Sequence, residues 1–310
     1  AAIGNTVTIF MIISVLLTVM LLIFINPIVA VMDTPEEAVK GITDYLIVCF
    51  IGIPFITAYN VISSIFRGLG DSKSPMYFIA VACGLNIALD YIFIGVCGMG
   101  PLGAALGTTL AQTFSVIISF AAIKRMNTGL KLTRNDFVPR KTVLGEIVKI
   151  GLPVAVQDGC IQIAFIVITV IANNRGVNDA AAVGVVEKMI SFIFIVPSSM
   201  LATVSALAAQ NIGAGKHDRA EQVLRYALGI IVAYGVIAIA VVELFAPELV
   251  GLFSKNKVVV TMGVQYISSY IVDCVFAGIH FSFTGYFCAY GKSYIGFIHN
   301  MILHCIYHVS

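Results

Sequence analysis

"SPMYFIAVACGLNIALDYIFIGVCGMGPLGAALGTTLAQ", residues 74–112, reads as two apolar helices joined by a turn. Gly98, Gly100 and Pro101 punctuate it, because glycine and proline stop helices for backbone reasons. Each arm belongs to a run long enough to cross a bilayer core, which takes roughly 20 apolar residues. Asp90 is the exception, a carboxylate inside an apolar run. Asn86 stands one helical turn before it, on the same face.

The whole chain follows that pattern. Of its 310 residues, 59% are hydrophobic and 11% are charged, and the mean hydropathy is +1.00. Soluble domains carry about 25% charged residues. The composition therefore indicates an integral membrane protein. Barrel strands would alternate apolar and polar residues over about ten positions, and no such alternation is present. Helical spans are expected at 7–31, 41–66, 74–96, 102–124, 146–172, 180–208, 222–246, 259–288 and 293–308. These nine define an all-α polytopic membrane protein. The chain opens at Ala1 and closes at Ser310 inside apolar runs, so helices are expected to be missing at both ends.

The net charge of +2 gives no argument for nucleic acid. The seven cysteines are scattered without a CxxC pair, which suits small apolar helix residues rather than disulfides or metal. His304 and His308 share a helix face, but no glutamate completes a zinc-protease motif, so no metal site is expected. Two glycine-rich stretches are decoys. "NIGAGKH" at 211–217 lacks the GxxxxGK[ST] spacing, and "RGLGDS" at 67–72 follows no strand.

Charge distribution sets the topology. One set of loops holds Arg67, Lys73, Lys124, Arg125, Lys131, Arg134, Arg140, Lys141, Lys149, Lys216, Arg219, Arg225 and Lys292. The alternate set holds only Lys40, Arg175, Lys255 and Lys257. The basic loops are expected in the cytoplasm and the acidic turn with Asp33, Glu36 and Glu37 outside. The longest and most charged connection suggests a division into residues 1–125, a cytoplasmic linker 126–145, and residues 146–310. A shift of 221 residues lays Tyr45 on Tyr266, Phe55 on Phe276, Phe66 on Phe287, Gly70 on Gly291 and Ser72 on Ser293. Two lobes related by an internal parallel repeat are expected, one of the architectures of secondary transporters.

Ionisable groups inside spans are expensive and usually face a bundle interior or a watery cavity. Asp90 with Asn86, joined by the Thr108 hydroxyl at the start of the next span, is either a site that switches with proton or sodium occupancy or a polar knot that locks two helices. Gln157, Asp158 and Gln162 follow Pro153, where a helix can bend. They either line a cavity or bond to neighbouring helices. Asp273, with Tyr266 and Tyr270 on its general face and His280 two turns on, is a second cation-attracting candidate. Glu187 is a further cavity candidate. Lys188 beside it can snorkel outward.

"FRGLGDSKSPMYFIAVACGLNIALDYIFI" followed by "GMGPLGAALGTTLAQ" resembles the first lobe of the multidrug and toxic compound extrusion (MATE) family. "KIGLPVAVQDG", "VPSSMLATVSALAAQNIGAGKHDRA" and "AYGKS" resemble its second lobe. No single motif decides the likeness; their order and spacing do, over about residues 3–305. The resemblance implies a twelve-helix exporter of two six-helix lobes facing a central cavity. The present spans would be the third to the eleventh, and the first two and the twelfth would be absent. It implies secondary active antiport of cationic or amphipathic small molecules against H⁺ or Na⁺, by a monomer in the cell membrane. No enzymatic step and no cofactor besides the coupling ion are expected.

The family's first-lobe ion site maps onto Asp90 and Asn86, with Thr108 and Tyr45 at matching spacings; Na⁺ could bind at Asp90. In the second lobe the likeness departs from the sodium-coupled subtype. Ile161 and Ala277 stand where that subtype has carboxylates, with Asp158 and Asp273 about a turn earlier. Gln157, Asp158, Gln162, Glu187, Asp273 and His280 remain substrate-cavity candidates. The alternatives are a lipid-linked oligosaccharide flippase of the same wider superfamily and a non-transporting membrane scaffold. A flippase cavity would need clustered Arg or Lys, whereas the buried charges here are mainly acidic. An intramembrane enzyme would need paired metal-binding carboxylates or a nucleophile with its base, and neither is found.

Overall fold

A computed structural model of the chain describes residues 2–31, 36–125 and 133–307. The side chains of Asp33, Glu36, Glu37, Lys124, Arg125, Lys131, Arg134, His304 and His308, which entered the topology and metal readings, lie outside the described residues. Every regular element among those described is helical. In order they are α1 (Ala2–Ile23), α2 (Ile25–Val31), α3 (Glu36–Gly68), α4 (Lys73–Asp90), a π-helical turn (Tyr91–Val96) and α5 (Gly100–Arg125). A 3₁₀ turn (Arg134–Asp136) leads to α6 (Lys141–Arg175), α7 (Val177–Ile193), α8 (Ile195–Gly213), α9 (His217–Gly251), α10 (Lys257–Tyr270), α11 (Asp273–Ala289) and α12 (Ser293–Tyr307).

Seven helical runs are long and apolar enough to cross a membrane among the described residues. They become eight if α10 and α11, bent by 41° at their junction, form one span. The ninth expected span is not among them. Of the expected span 293–308, the described residues hold the 15 of α12.

Prolines shape several of the others. The expected span 7–31 breaks at Phe24 and the span 180–208 breaks at Phe194, in each case three residues before a proline, Pro27 and Pro197. A proline inside a helix has no N–H to donate and pushes aside the carbonyl four residues back. In lipid a carbonyl freed in this way needs another donor. Three such carbonyls find one on a different helix. Pro54 frees that of Phe50, which accepts from the Thr18 hydroxyl at 3.0 Å. Pro153 frees that of Lys149, which accepts from Ser293 at 3.2 Å. Pro197 frees that of Ile193, which accepts from Tyr234 at 2.8 Å.

The chain divides into two compact units, Ala1–Gly145 and Glu146–Ser310. In the first, α3 packs against α1 and α5, and α4 packs against α5. Tyr59, Ile62, Phe66 and Phe78 form its buried cluster, with the Phe66 and Phe78 rings edge to face at 5.5 Å. Residues 126–132 of the expected linker lie outside the described residues. Its later part is pinned to α1. The buried Asn5 donates to the Asp136 carbonyl at 3.0 Å and accepts from the Arg140 N–H at 2.6 Å.

In the second unit, Val186, Ile190, Val242, Val250, Ile267 and Ile271 pack α7, α9 and α10 together. Helices α8 and α11 cross closely because Gly285 lies on the Leu201 carbonyl; a Cβ there would come within 2.5 Å of that oxygen. Membrane helices associate through such close packing, since lipid is as apolar as leucine. The 221-residue shift lays Glu36–Gly68 onto Lys257–Ala289, so α3 in one unit matches α10 plus α11 in the other. It also superimposes two glycines of positive φ, Gly70 and Gly291.

Candidate functional site

Helix α4 ends at Asp90, where the backbone loosens into the π turn 91–96. The wider turn is held by bonds such as Cys97 N–H to the Ile92 carbonyl at 2.9 Å. Single π turns inside α-helices occur mostly at functional positions. Here the turn follows directly on the carboxylate that the sequence singled out.

Helix α5 meets this region through Gly103 and Gly107, spaced as a small-xxx-small pair. Gly107 lets the two helices approach. A Cβ at this position would collide with Asp90 Oδ1 and lie 3.5 Å from Asn86 Nδ2. Beside Gly107, the Thr108 hydroxyl accepts a long hydrogen bond of 3.4 Å from Asn86 Nδ2. One carboxylate, one amide and one hydroxyl therefore converge from α4 and α5. The Asp90 Oδ1 atom is buried and has no hydrogen-bond partner among the described residues. A buried acceptor in that condition calls for a proton, a cation or a donor from elsewhere. The oxygens of Asp90, Asn86 and Thr108 are hard ligands, suited to H⁺ or Na⁺ rather than to a transition metal. Tyr45 is not joined to this cluster by any hydrogen bond among the described residues. It stands exposed on α3 with its hydroxyl toward Cys49.

The second-unit candidates separate into three groups. Gln157 is 1% exposed and faces His280, 7% exposed, across the α6–α11 contact, with Gln157 Nε2 and His280 Nε2 3.0 Å apart. Asp158 and Gln162 also lie on α6 but are exposed. Glu187 on α7 accepts from the Thr169 hydroxyl on α6 at 3.0 Å, near the Tyr266 hydroxyl of α10, a buried oxygen without a partner among the described residues. Asp273 opens α11 at the bend, close to Tyr270. The 41° bend falls between Tyr270, the last residue of α10, and Asp273, the first of α11.

Sequence reading missed three participants. His299 on α12 stands 3.0 Å from His280, Nδ1 to Nδ1. Thr169 holds Glu187. Gly107 makes room for Asp90. A histidine near the chain end and a mid-helix threonine carry no periodic signal. The Gly103–Gly107 spacing was the one cue available.

A sequence profile of the MatE family matches residues 1–92 and 153–310. Probable multidrug resistance protein YpnP of Bacillus subtilis is 30% identical over 272 residues, 87% of this chain and 60% of that protein. Probable multidrug resistance protein YoeA of Bacillus subtilis is 28% identical over 83% of this chain and 57% of its own length. The multidrug export protein MepA of Staphylococcus aureus is 26% identical over 87% and 59%. The chain thus spans somewhat over half the length of these relatives. Among solved structures, a MOP superfamily transporter from Pyrococcus furiosus superposes with a TM-score of 0.88 at 24% identity, over 96% of this chain and 68% of that one. A multidrug resistance MATE family transporter in an outward-facing conformation gives 0.85 at 25%, over the same shares.

Proposed function

The chain belongs to the MatE family, and from that premise we propose that it serves a secondary active exporter of small cationic or amphipathic molecules. The exporter exchanges its substrate for H⁺ or Na⁺ by alternating access. It works as a monomer in the plasma membrane, with its basic loops in the cytoplasm. Residues 1–125 and 146–310 contribute to its two lobes. The names of the curated relatives, multidrug resistance and export proteins, support the substrate class.

Asp90 is the coupling residue in this reading. Asn86 and Thr108 complete its shell, and Tyr45 joins in another state of the cycle. The observation that carries the assignment is the buried, unpartnered Oδ1 oxygen of Asp90, set against a glycine and flanked by an amide and a hydroxyl. An ion loaded there biases the transporter only through its unequal affinity for the two access states. Asp158, Gln162, Glu187 and Asp273 attract the cationic substrate.

The test is efflux from vesicles holding the complete gene product, driven by imposed proton or sodium gradients, with a panel of cationic dyes. Asp90→Asn should abolish gradient-driven efflux while leaving the helical circular dichroism and melting profile intact. Undiminished efflux by that variant would remove Asp90 from the coupling role. Transport of lipid-linked pyrophosphate in place of the dyes would replace the exporter with a flippase.

A further inference from the structure

We propose that the second unit binds the headgroup phosphate of an anionic glycerophospholipid, at the end of the unit where the α8–α9 and α11–α12 turns meet. The site needs only that the chain spans a membrane. It does not depend on the role given to Asp90, on transport, or on which leaflet the basic loops face.

The two turns are built alike. Each closes a helix with a glycine of positive φ, Gly215 at 71° and Gly291 at 70°, and each places a lysine next. The Lys216 N–H bonds back to the Asn211 carbonyl and the Lys292 N–H to the Phe287 carbonyl, both at 2.8 Å. These are the bonds that end a helix on a left-handed residue. They fix the backbone of each lysine and leave its side chain exposed.

A ring contact brings the turns together. His217 Nδ1 lies 3.1 Å from the Tyr290 hydroxyl, and the two rings are stacked with centroids 6.0 Å apart. Tyr290 in turn meets the Tyr286 ring at 5.1 Å. Helix α11 carries both tyrosines and packs against both α9 and α12. The start of each of those helices therefore flanks the tyrosine pair. A third segment joins through the Ser293 hydroxyl, which donates to the Lys149 carbonyl at 3.2 Å and sets α6 beside Lys292.

Charge selects an anion. Lys149, Lys216, Arg219 and Lys292 are exposed and have no ion pair among the described residues. Glu221 is taken by Arg225 at 2.6 Å, so that pair cancels itself. Two exposed carboxylates, Asp218 and Glu146, then stand against four cations, and the excess is positive. The sign belongs to this unit. The matching turn of the first unit has Asp71 in the place of Lys292, with its carboxylate already engaged by Lys73 and Ser74.

Depth selects a lipid. Each helix becomes apolar within a few residues of these charges, and an exposed tyrosine marks the change. Tyr226 on α9 is 72% exposed and Tyr294 on α12 is 48% exposed. Such amphipathic rings sit at headgroup level. One turn further, on the same helix faces, Ile230 and Ile298 are also exposed. A lipid can bring its phosphate to the lysines while its acyl chains run along these apolar faces. A soluble phosphate gains only the first contact. Basic pockets between helix ends hold anionic headgroups in this way.

The experiment uses the complete gene product, purified in detergent and titrated with dioleoyl phosphatidylglycerol or dioleoyl phosphatidylcholine. Native mass spectrometry reads the affinity for the first lipid bound. The expected result is tighter binding of the anionic lipid. Lys216→Gln and Lys292→Gln should each weaken it by about fivefold, the scale of one basic residue at an anionic surface. The double variant should lose about 25-fold. Lys255→Gln/Lys257→Gln removes the same charge from the α9–α10 turn and should leave the affinity unchanged. Glycerol 3-phosphate, which lacks the chains, should not displace the lipid at equal concentration. Equal affinity for the two lipids, or undiminished binding by the Lys216→Gln/Lys292→Gln variant, would overturn the proposal. So would an equal loss in the Lys255→Gln/Lys257→Gln variant, or displacement by glycerol 3-phosphate.

Discussion

Asp90 Oδ1 occupies the space that a side chain at position 107 would fill. The carboxylate and the glycine are thus one feature contributed by two helices. Gly107→Ala should force α4 and α5 apart or turn the carboxylate out, at about 1–3 kcal/mol, the usual cost of overpacking. Thermal unfolding in detergent measures it. Because the clash is with Asp90, removing that side chain in the double variant Asp90→Ala/Gly107→Ala should recover most of the loss. Costs that simply add would show that residue 107 meets something other than Asp90.

The hydroxyls that satisfy proline-freed carbonyls give a second prediction. Thr18→Val, Ser293→Ala and Tyr234→Phe each leave a carbonyl without its donor, and each should lose about 1–3 kcal/mol. Thr43 is the control, since its hydroxyl bonds the Val39 carbonyl of its own helix, which the helix ladder already satisfies. Thr43→Val should stay within about 0.5 kcal/mol. Equal losses across all four variants would mean that the three cross-helix bonds do not make up for the prolines.

How much of this could be read from the sequence follows from the physics of each signal. Hydrophobic runs long enough for a bilayer are visible by length, so the helical class was legible. The Asp90–Asn86 pair was legible because a carboxylate in an apolar run is anomalous and residues four apart share a helix face. The breaks at Phe24 and Phe194 were half-legible. Pro27 and Pro197 were in view, yet a proline in a membrane helix gives a bend, a break or neither according to which neighbour takes the freed carbonyl. The α10–α11 bend has no proline at all. The His280–His299 contact joins two helices through a turn, and no periodicity predicts which faces meet. The tie from Asn5 to residues 136 and 140 was invisible for the same reason.

Asp71, in the turn between α3 and α4, accepts from the Ser74 hydroxyl at 2.5 Å and from the N–H groups of Ser74 and Lys73 at 3.0 Å each. The hydrogen bonds from Ser74, its hydroxyl first, hold the Asp71 carboxyl below the usual range. A carboxyl lowered in the folded state stabilises at pH above its unfolded value. That contribution is lost as pH falls through the folded one. Asp71→Ala should therefore cost about 1 kcal/mol at neutral pH, as loss of a helix cap does. The gap between parent and variant melting temperatures should narrow below about pH 4. A gap that stays constant down to strong acid would assign the effect to something other than the charged cap.

Asn5 supplies the last prediction, because both ends of its amide are used. It is fully buried, its nitrogen donates to the Asp136 carbonyl, and its oxygen accepts from the Arg140 N–H. Asn5→Leu keeps the branching at Cγ, puts two bulkier methyl groups in place of the amide and removes both bonds, leaving a backbone acceptor and a backbone donor unpaired at about 1–3 kcal/mol. Asn5→Asp keeps the acceptor for Arg140 but aims a carboxylate oxygen at the Asp136 carbonyl, so it should be the worse of the two. Trypsin reports the release directly, since Arg134, Arg140 and Lys141 all lie in the tethered segment or at its end. Cleavage there should speed up in the order parent, Asn5→Leu, Asn5→Asp. If both variants were cut at the parental rate, the segment would be held to α1 by contacts other than this amide.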